Sequence, residues 1–289
     1  MKRCQNCSNM FEASGWTCPS CGCCPDSIAG FPLFAPKLTE NREGYREEFY
    51  AELASLEHGN FWFEARNALI LWVLRRYFPA PGRLLEIGCG TGFVLSALCR
   101  NFPEAELMGS EVLPAGLSFA KQRVPNVQLL QMDARDIPFS DHFDLIGAFD
   151  VLEHIPEDGK VLEQIHSALR PGGGLLVTVP QHPWLWGRQD EHACHVRRYT
   201  ASGLRQAVQQ AGFVVLYETS FVSLLIPLML LSRLRMNWSA PNTDALSELR
   251  LSRSGNALLG TVMTIERMLI KSKIRFDFGG SRLLLAQRL

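Results

Sequence analysis

Between residues 84 and 179 short apolar runs alternate with helical ones, and this alternation leaves few folds open. The apolar runs are 84–87, 106–112, 127–134, 143–150 and 175–179, with helical patterning over 94–100, 115–123 and about 158–169. Parallel strands need long crossovers, so segments of this length predict a parallel sheet with helices on both faces. Ligands bind such sheets outside the carboxyl ends of the strands. Glu86, Glu111, Asp133 and Asp150 all fall at those ends.

The first strand runs into Gly88-Cys89-Gly90-Thr91-Gly92 and then a helix. Glycines let a ligand's polar groups reach the backbone, because no Cβ stands in the way and positive φ is tolerated. The helix start adds unpaired N–H groups and the positive end of a dipole. Glu86 suits a ligand with a cationic amine. Glu111 lies about 20 residues past the turn, where a carboxylate can hold both hydroxyls of a ribose. Asp150-Val151-Leu152-Glu153-His154 follows the fourth strand, and Pro171-Gly-Gly-Gly174 reads as a turn into the fifth.

Six of the nine cysteines lie within residues 4–24. Cys4-x-x-Cys7 and Cys18-x-x-Cys21 can converge four thiolates on one tetrahedral ion. Zinc is preferred over iron, and Cys23 or Cys24 could replace Cys21 as ligand. The segment resembles a rubredoxin-like zinc ribbon, either a docking module or a metal staple for the N-terminus. Cysteines so distributed suit a reducing cytoplasm, and no signal peptide is visible. Residues 30–36 read as an extended linker that packs onto something, and 45–56 as a helix. The boundaries drawn are a ribbon at 1–30, a linker and helix at 31–57 and a main domain at 58–289. In the aromatic stretch 58–67, Phe61, Trp62 and Phe63 read as core; alternatively Trp62 and Arg66 cover the cleft, with Arg66 pairing a carboxylate.

Beyond the fifth strand, residues 180–200 are dense in groups that move protons or bind anions. His182, His192 and His195 are candidate general bases, with His195 first. Arg197 and Arg198 could grip an anion, while Tyr199 and Arg198 could equally serve packing. A sixth strand is expected over 213–219 and a final antiparallel one over 279–288. Residues 221–275 then form an insertion, apolar and basic. From Phe221 onward there are ten Lys and Arg against four Asp and Glu, although the whole chain is neutral. That charge pattern fits an interfacial helix on anionic lipid or a helical lid, and no apolar run spans a bilayer. The neutral total disfavours nucleic acid as a partner.

Together these motifs resemble class I S-adenosylmethionine-dependent methyltransferases, in particular the small-molecule and quinone-type branch. The match lies in Glu86-x-Gly88-x-Gly90-x-Gly92, Glu111, Asp133-Ala134, the 150–154 segment and the 171–174 turn. The resemblance implies a Rossmann-like, doubly wound α/β sheet of seven mostly parallel strands. S-adenosylmethionine would bind at Arg66, Glu86, Gly88, Cys89, Gly90, Gly92, Glu111, Val112, Asp133, Ala134, Asp150 and Val151. His154, His195 and Tyr199 are the catalytic candidates, and Cys4, Cys7, Cys18 and Cys21 the structural zinc ligands. Glu153 and His154 read equally well as the start of a solvated helix. The expected acceptor is a small or lipid-like molecule, with peripheral contact through 221–275 at the inner face of a membrane. An RNA methyltransferase docking through its ribbon and a non-catalytic cofactor-binding scaffold are the alternatives.

Overall fold

The computed structural model describes residues 1–39, 47–237 and 250–289. Two short strands, β1 (Lys2–Arg3) and β2 (Met10–Phe11), pair in the ribbon, and a hairpin follows, β3 (Asp26–Ile28) and β4 (Phe31–Leu33). Helices α1 (Pro36–Thr39), α2 (Glu47–Glu57) and α3 (Phe61–Tyr77) lead to the alternating region. That region is β5 (Arg83–Ile87), α4 (Phe93–Asn101), β6 (Glu106–Glu111), α5 (Pro114–Arg123), β7 (Gln128–Gln131), β8 (Phe143–Phe149), α6 (Asp158–Ala168) and β9 (Leu169–Pro180). The rest comprises α7 (Arg188–His192), α8 (Ala201–Gln210), β10 (Phe213–Phe221), α9 (Ile226–Asn237), α10 (Arg253–Lys271) and β11 (Ser281–Arg288).

The sheet order is β10-β11-β9-β8-β5-β6-β7-β4-β3. Strands β4 to β9 run parallel, while β11 is antiparallel to both β9 and β10. Successive side chains of a strand face opposite sides. Leu85 therefore joins Ile146, Val177, Val161 and Leu204 in the layer under α6 and α8. Its neighbour Leu84 joins Leu145, Leu176, Leu283, Ile70 and Met263 in the layer under α3 and α10.

The seven expected strands are present, and the sheet has two more. The linker read at 30–36 contains β4, which pairs in parallel with β7 through Leu33 and Gln131. The Phe34 N–H donates to the Gln131 carbonyl at 2.9 Å. The buried Gln131 amide then brackets Ala35, accepting from its N–H at 2.8 Å and donating to its carbonyl at 2.9 Å. The boundary drawn at residue 30 thus falls at the turn of a hairpin that belongs to the main sheet. Residues 171–174 differ from expectation too. They lie within β9 as a bulge, where the register against β8 shifts between Phe143 and Leu145.

The ribbon docks on the β7–β8 connection. The Met1 ammonium donates to the Ser140 carbonyl at 2.7 Å, and the Arg3 N–H to the Pro138 carbonyl at 3.0 Å. The Arg3 guanidinium pairs with Asp136 and also donates to the Ile137 carbonyl at 2.9 Å. Trp16 packs edge-on against Phe34 and Phe139 at 4.5 and 5.4 Å between ring centres. Lys2 Nζ donates to the Ala13 and Gly15 carbonyls at 2.7 and 2.8 Å.

The insertion read at 221–275 includes α9 and α10, with its residues 238–249 outside the described ones. Buried Glu266 of α10 accepts from the N–H groups of Val222, Ser223 and Leu224 at 2.7, 2.6 and 2.8 Å. Asn256 accepts from the Phe61 N–H at 2.8 Å and donates to the Gly59 carbonyl at 2.8 Å. These bonds fix α10 across α3. Its outer face leaves Leu258 and Met268 more than 60% exposed. Among the described residues no helix is long and apolar enough to cross a membrane.

Candidate active site

A cavity of about 1150 Å³ opens at the carboxyl ends of β5, β6, β8 and β9. Arg66, Glu86, Gly88, Cys89, Gly90, Glu111, Val112, Asp133, Ala134, Asp150 and Val151 all line it. Gly92 does not. It caps α4 in the left-handed region (φ +76°), and a Cβ there would meet the Ala120 backbone at 3.0 Å. It shapes the turn rather than lining the cleft. Gly88 (φ +64°) does both, since a Cβ would press to 2.5 Å from Val151 Cγ2.

Glu111 is an acceptor for the turn itself. Its carboxylate accepts from the N–H groups of Gly90 at 3.0 Å, Val112 at 2.8 Å and Leu113 at 3.3 Å. Burial raises its pKa, opposed by these backbone donors and by a bond from Tyr50. Glu86 is as deeply buried, but its Oε2 has no hydrogen-bond partner. Burial pushes its carboxyl well above the usual range, against the pull of nearby Arg66. A buried acceptor without a donor, facing a cavity, suits a cationic or N–H-bearing ligand group. The Asp133 carboxylate already accepts from Arg135 Nε at 3.1 and 3.0 Å.

Arg66 pairs with Asp150 and lies 4.6 Å from the centre of the Trp62 ring. The alternative reading of the aromatic stretch therefore describes Trp62 and Arg66, which line the cleft, whereas Phe63 is buried and also borders it. Asn60 starts α3 by accepting from the Trp62 N–H at 3.0 Å.

At the opposite end the fully buried Asp190 organises the loop. Its Oδ1 lies 2.9 Å from His195 Nδ1 and 2.7 Å from Arg198 Nε, and its Oδ2 accepts from the Gly187 N–H at 2.8 Å. Burial would raise its pKa, but His195 and Arg198 outweigh that and hold it below the ordinary value. His154 faces His195 edge-on at 4.8 Å between ring centres. Burial, with the charge of His195, lowers the His154 pKa to about 4. His192 also lines the cavity, whereas His182 stacks on Trp184 and Phe278 away from it. Arg197 pairs with Asp158 at 2.6 Å.

Tyr199 does not belong to this end. Its ring packs in the core and its hydroxyl donates to Asp158 Oδ2 at 2.6 Å, so it cannot reach an acceptor in the cavity. Glu153 corrects the solvated-helix reading. A single 3₁₀ turn, Leu152–His154, carries it fully inside.

Several residues at the site have no local sequence signal. Glu57 at the end of α2 accepts from Thr91 Oγ1 at 2.5 Å and from Arg123 at 2.6 Å, tying α2 over the glycine turn. Tyr50, Leu53 and Glu57 line the cleft from this helix.

In the ribbon, one sulfur from each of Cys4, Cys7, Cys18 and Cys21 lies within 4.8 Å of the others. The Cys4–Cys21 and Cys7–Cys18 sulfurs are 3.7 and 3.6 Å apart. Tetrahedral zinc with Zn–S bonds of about 2.3 Å separates its sulfurs by about 3.8 Å, so the four thiols fit such an ion. Cys23 instead supplies a carbonyl to the Cys18 N–H at 2.8 Å.

Residues 61–218, more than half of the chain, match the family described as a methyltransferase domain, and the chain belongs to that family. It is 33% identical over 103 residues to a trans-aconitate 2-methyltransferase of Methylobacterium nodulans, covering 36% of this chain and 40% of that one. It is 36% identical over 94 residues to a probable phthiotriol/phenolphthiotriol dimycocerosates methyltransferase 2 of Mycobacterium ulcerans, covering 32% and 36% of the two chains. The chain thus spans less than half the length of these relatives. In fold it is similar to phosphoethanolamine N-methyltransferase 2 of Haemonchus contortus, solved with S-adenosyl-L-methionine. The TM-score is 0.58 at 19% identity, over 89% of this chain and 61% of that one.

Proposed function

We propose that this chain transfers a methyl group from S-adenosylmethionine to a small or lipid-like acceptor. The observation that carries the reading is the unpartnered, buried Glu86 Oε2 beside the glycine turn, in the same cavity as the Asp190–His195–Arg198 loop. When bound, S-adenosylmethionine supplies a methyl group on a positively charged sulfur. Glu86 would take its ammonium group and Glu111, at the end of β6, its ribose. Gly88 and Gly90 would let the ligand approach the backbone, while Asp133 and Ala134 would border its base. Arg66, locked to Asp150 and covered by Trp62, closes the cleft over the donor. In-line displacement needs alignment more than acid–base work, and these fixed side chains supply the alignment.

The acceptor enters between His154, His195 and Arg198 on one side and Leu225, Leu228, Met229 and Leu259 on the other. That wall suits a polar head carried on an apolar body. The names of the relatives, a trans-aconitate methyltransferase and a probable phthiotriol/phenolphthiotriol dimycocerosates methyltransferase, support a non-polymeric acceptor. The exposed Leu228, Leu258, Met268 and Phe278, with Lys271, Lys273 and Arg275 nearby, favour docking on an anionic bilayer. Zinc would be held by Cys4, Cys7, Cys18 and Cys21 as a staple for the docked N-terminus.

Calorimetry with S-adenosylhomocysteine tests the donor site; a folded, metal-loaded sample that does not bind it overturns the reading. Flotation with vesicles tests the membrane role. Recovery at the top of the gradient should require anionic lipid and fall when Leu258 and Met268 are changed to Ser.

A further inference from the structure

Among the described residues, Glu153 is an anomaly. It is fully buried, both carboxyl oxygens lack a hydrogen-bond partner, and it borders the acceptor end of the cavity. A buried carboxyl with no donor is costly to keep unless something else satisfies it. Beside it stand His154 and His195, and one ligand atom from each of the three lies within 4.8 Å of the others. Metal–nitrogen and metal–oxygen bonds of about 2.0–2.2 Å place two ligands at most about 4.4 Å apart, so the cluster is already close to coordination size.

The surroundings are those of imidazoles prepared as ligands. Asp190 Oδ1 lies 2.9 Å from His195 Nδ1, which leaves Nε2 as the ligating nitrogen and fixes the ring. Such a carboxylate behind an imidazole orients the ring and raises its basicity toward a cation. His154 hydrogen-bonds the backbone at Cys194 and Ala193, which ties its ring to the acceptor loop. Glu153 and His154 sit on one 3₁₀ turn after β8, while His195 follows α7, so the site joins the fixed sheet end to the acceptor loop.

We propose that Glu153, His154 and His195 bind a divalent cation, distinct from the ribbon metal, whose open positions face the acceptor. Two imidazoles and one carboxylate are a donor set that Zn²⁺, Fe²⁺ and Mn²⁺ all accept, and Mn²⁺ is the paramagnetic probe among them. The acceptor class follows: a molecule that offers the cation a hydroxyl, with a second oxygen donor adjacent to it. Coordination lowers the pKa of that hydroxyl, and its proton leaves to solvent. The oxygen lone pair then forms the new C–O bond, and the pair of the broken S–CH₃ bond stays on sulfur. This deepens the methyl-transfer reading and rests on it.

The test uses the full chain with its ribbon metal in place. Electron paramagnetic resonance follows the loss of the free Mn²⁺ signal, and calorimetry measures S-adenosylhomocysteine binding in the same samples. The expected result is one Mn²⁺ per chain, at least about tenfold weaker in the isosteric Glu153→Gln and in His195→Asn. Cys4→Ser should retain the Mn²⁺ site. No Mn²⁺ uptake up to millimolar concentration, or uptake unchanged in Glu153→Gln, overturns the proposal. Uptake lost in Cys4→Ser but kept in Glu153→Gln assigns the ion to the ribbon and overturns it as well. If Mn²⁺ uptake fails while S-adenosylhomocysteine binds, only this inference falls; if S-adenosylhomocysteine fails to bind, the donor-site reading falls.

Discussion

On the side of the cleft proposed to hold the donor, Glu86 and Glu111 stand at the ends of central strands, and Glu111 is held by three backbone N–H groups. On the acceptor side, His195 and Arg198 both lean on Asp190, within a short helix and loop between β9 and α8. The first arrangement is fixed by strand pairing across the middle of the sheet. The second depends on one buried carboxylate and can vary without disturbing the sheet. A fold organised this way can keep one donor and change acceptors, since loops carry the variable chemistry on a rigid scaffold.

The sharpest way to break this contrast is on the donor side. Glu111→Ala removes the shared acceptor of Gly90, Val112 and Leu113. S-adenosylhomocysteine binding, read by calorimetry, should weaken at least about 100-fold, the equivalent of roughly 3 kcal/mol of charged hydrogen bonding. On the acceptor side, His195→Asn should lower turnover by about 100-fold. Its S-adenosylhomocysteine affinity should stay within about threefold of the parent. A comparable loss of donor affinity would show that the two ends are one coupled unit.

A smaller effect concerns pH. Burial raises the Glu86 pKa, so the empty protein keeps this carboxyl protonated above the usual carboxylate range. An ammonium ligand favours the ionised form, so binding releases a proton. Affinity should therefore climb with pH up to the raised pKa, by up to about tenfold per unit, and level off above it. Glu86→Gln should bind weakly with no such slope. The smallest effect should come from Tyr199→Phe, which loses the bond to Asp158 at about 1 kcal/mol of stability with turnover within about twofold. A large loss of turnover would return Tyr199 to the acceptor site.

The same contrast explains what could be read from the sequence. The glycine turn and the four strand-end acids are legible because each feature is local: a short run, its last residue, the turn that follows. Glu57 is not legible, because its partners Thr91 and Arg123 are brought to it only when α2 crosses the glycine turn. The sequence neighbours of Tyr199 point to catalysis, yet its hydroxyl turns back to Asp158, 41 residues earlier. Glu153 is ambiguous in sequence because charged residues after a strand are usually solvated; one 3₁₀ turn decides otherwise. The added hairpin is not legible, because its pairing joins Leu33 to Gln131, a contact no local pattern reports.

That distance has a consequence in time. During synthesis the ribbon emerges well before its landing site, since Arg3 and Asp136 are 133 residues apart. At about 5–20 residues per second, the gap is on the order of ten seconds. With the proposed zinc bound, that ion would be the main force available throughout the interval to keep so small a segment folded. If the ribbon holds zinc as proposed, the docking of the first residues onto residues 136–140 depends on metal supply while the chain is still being made.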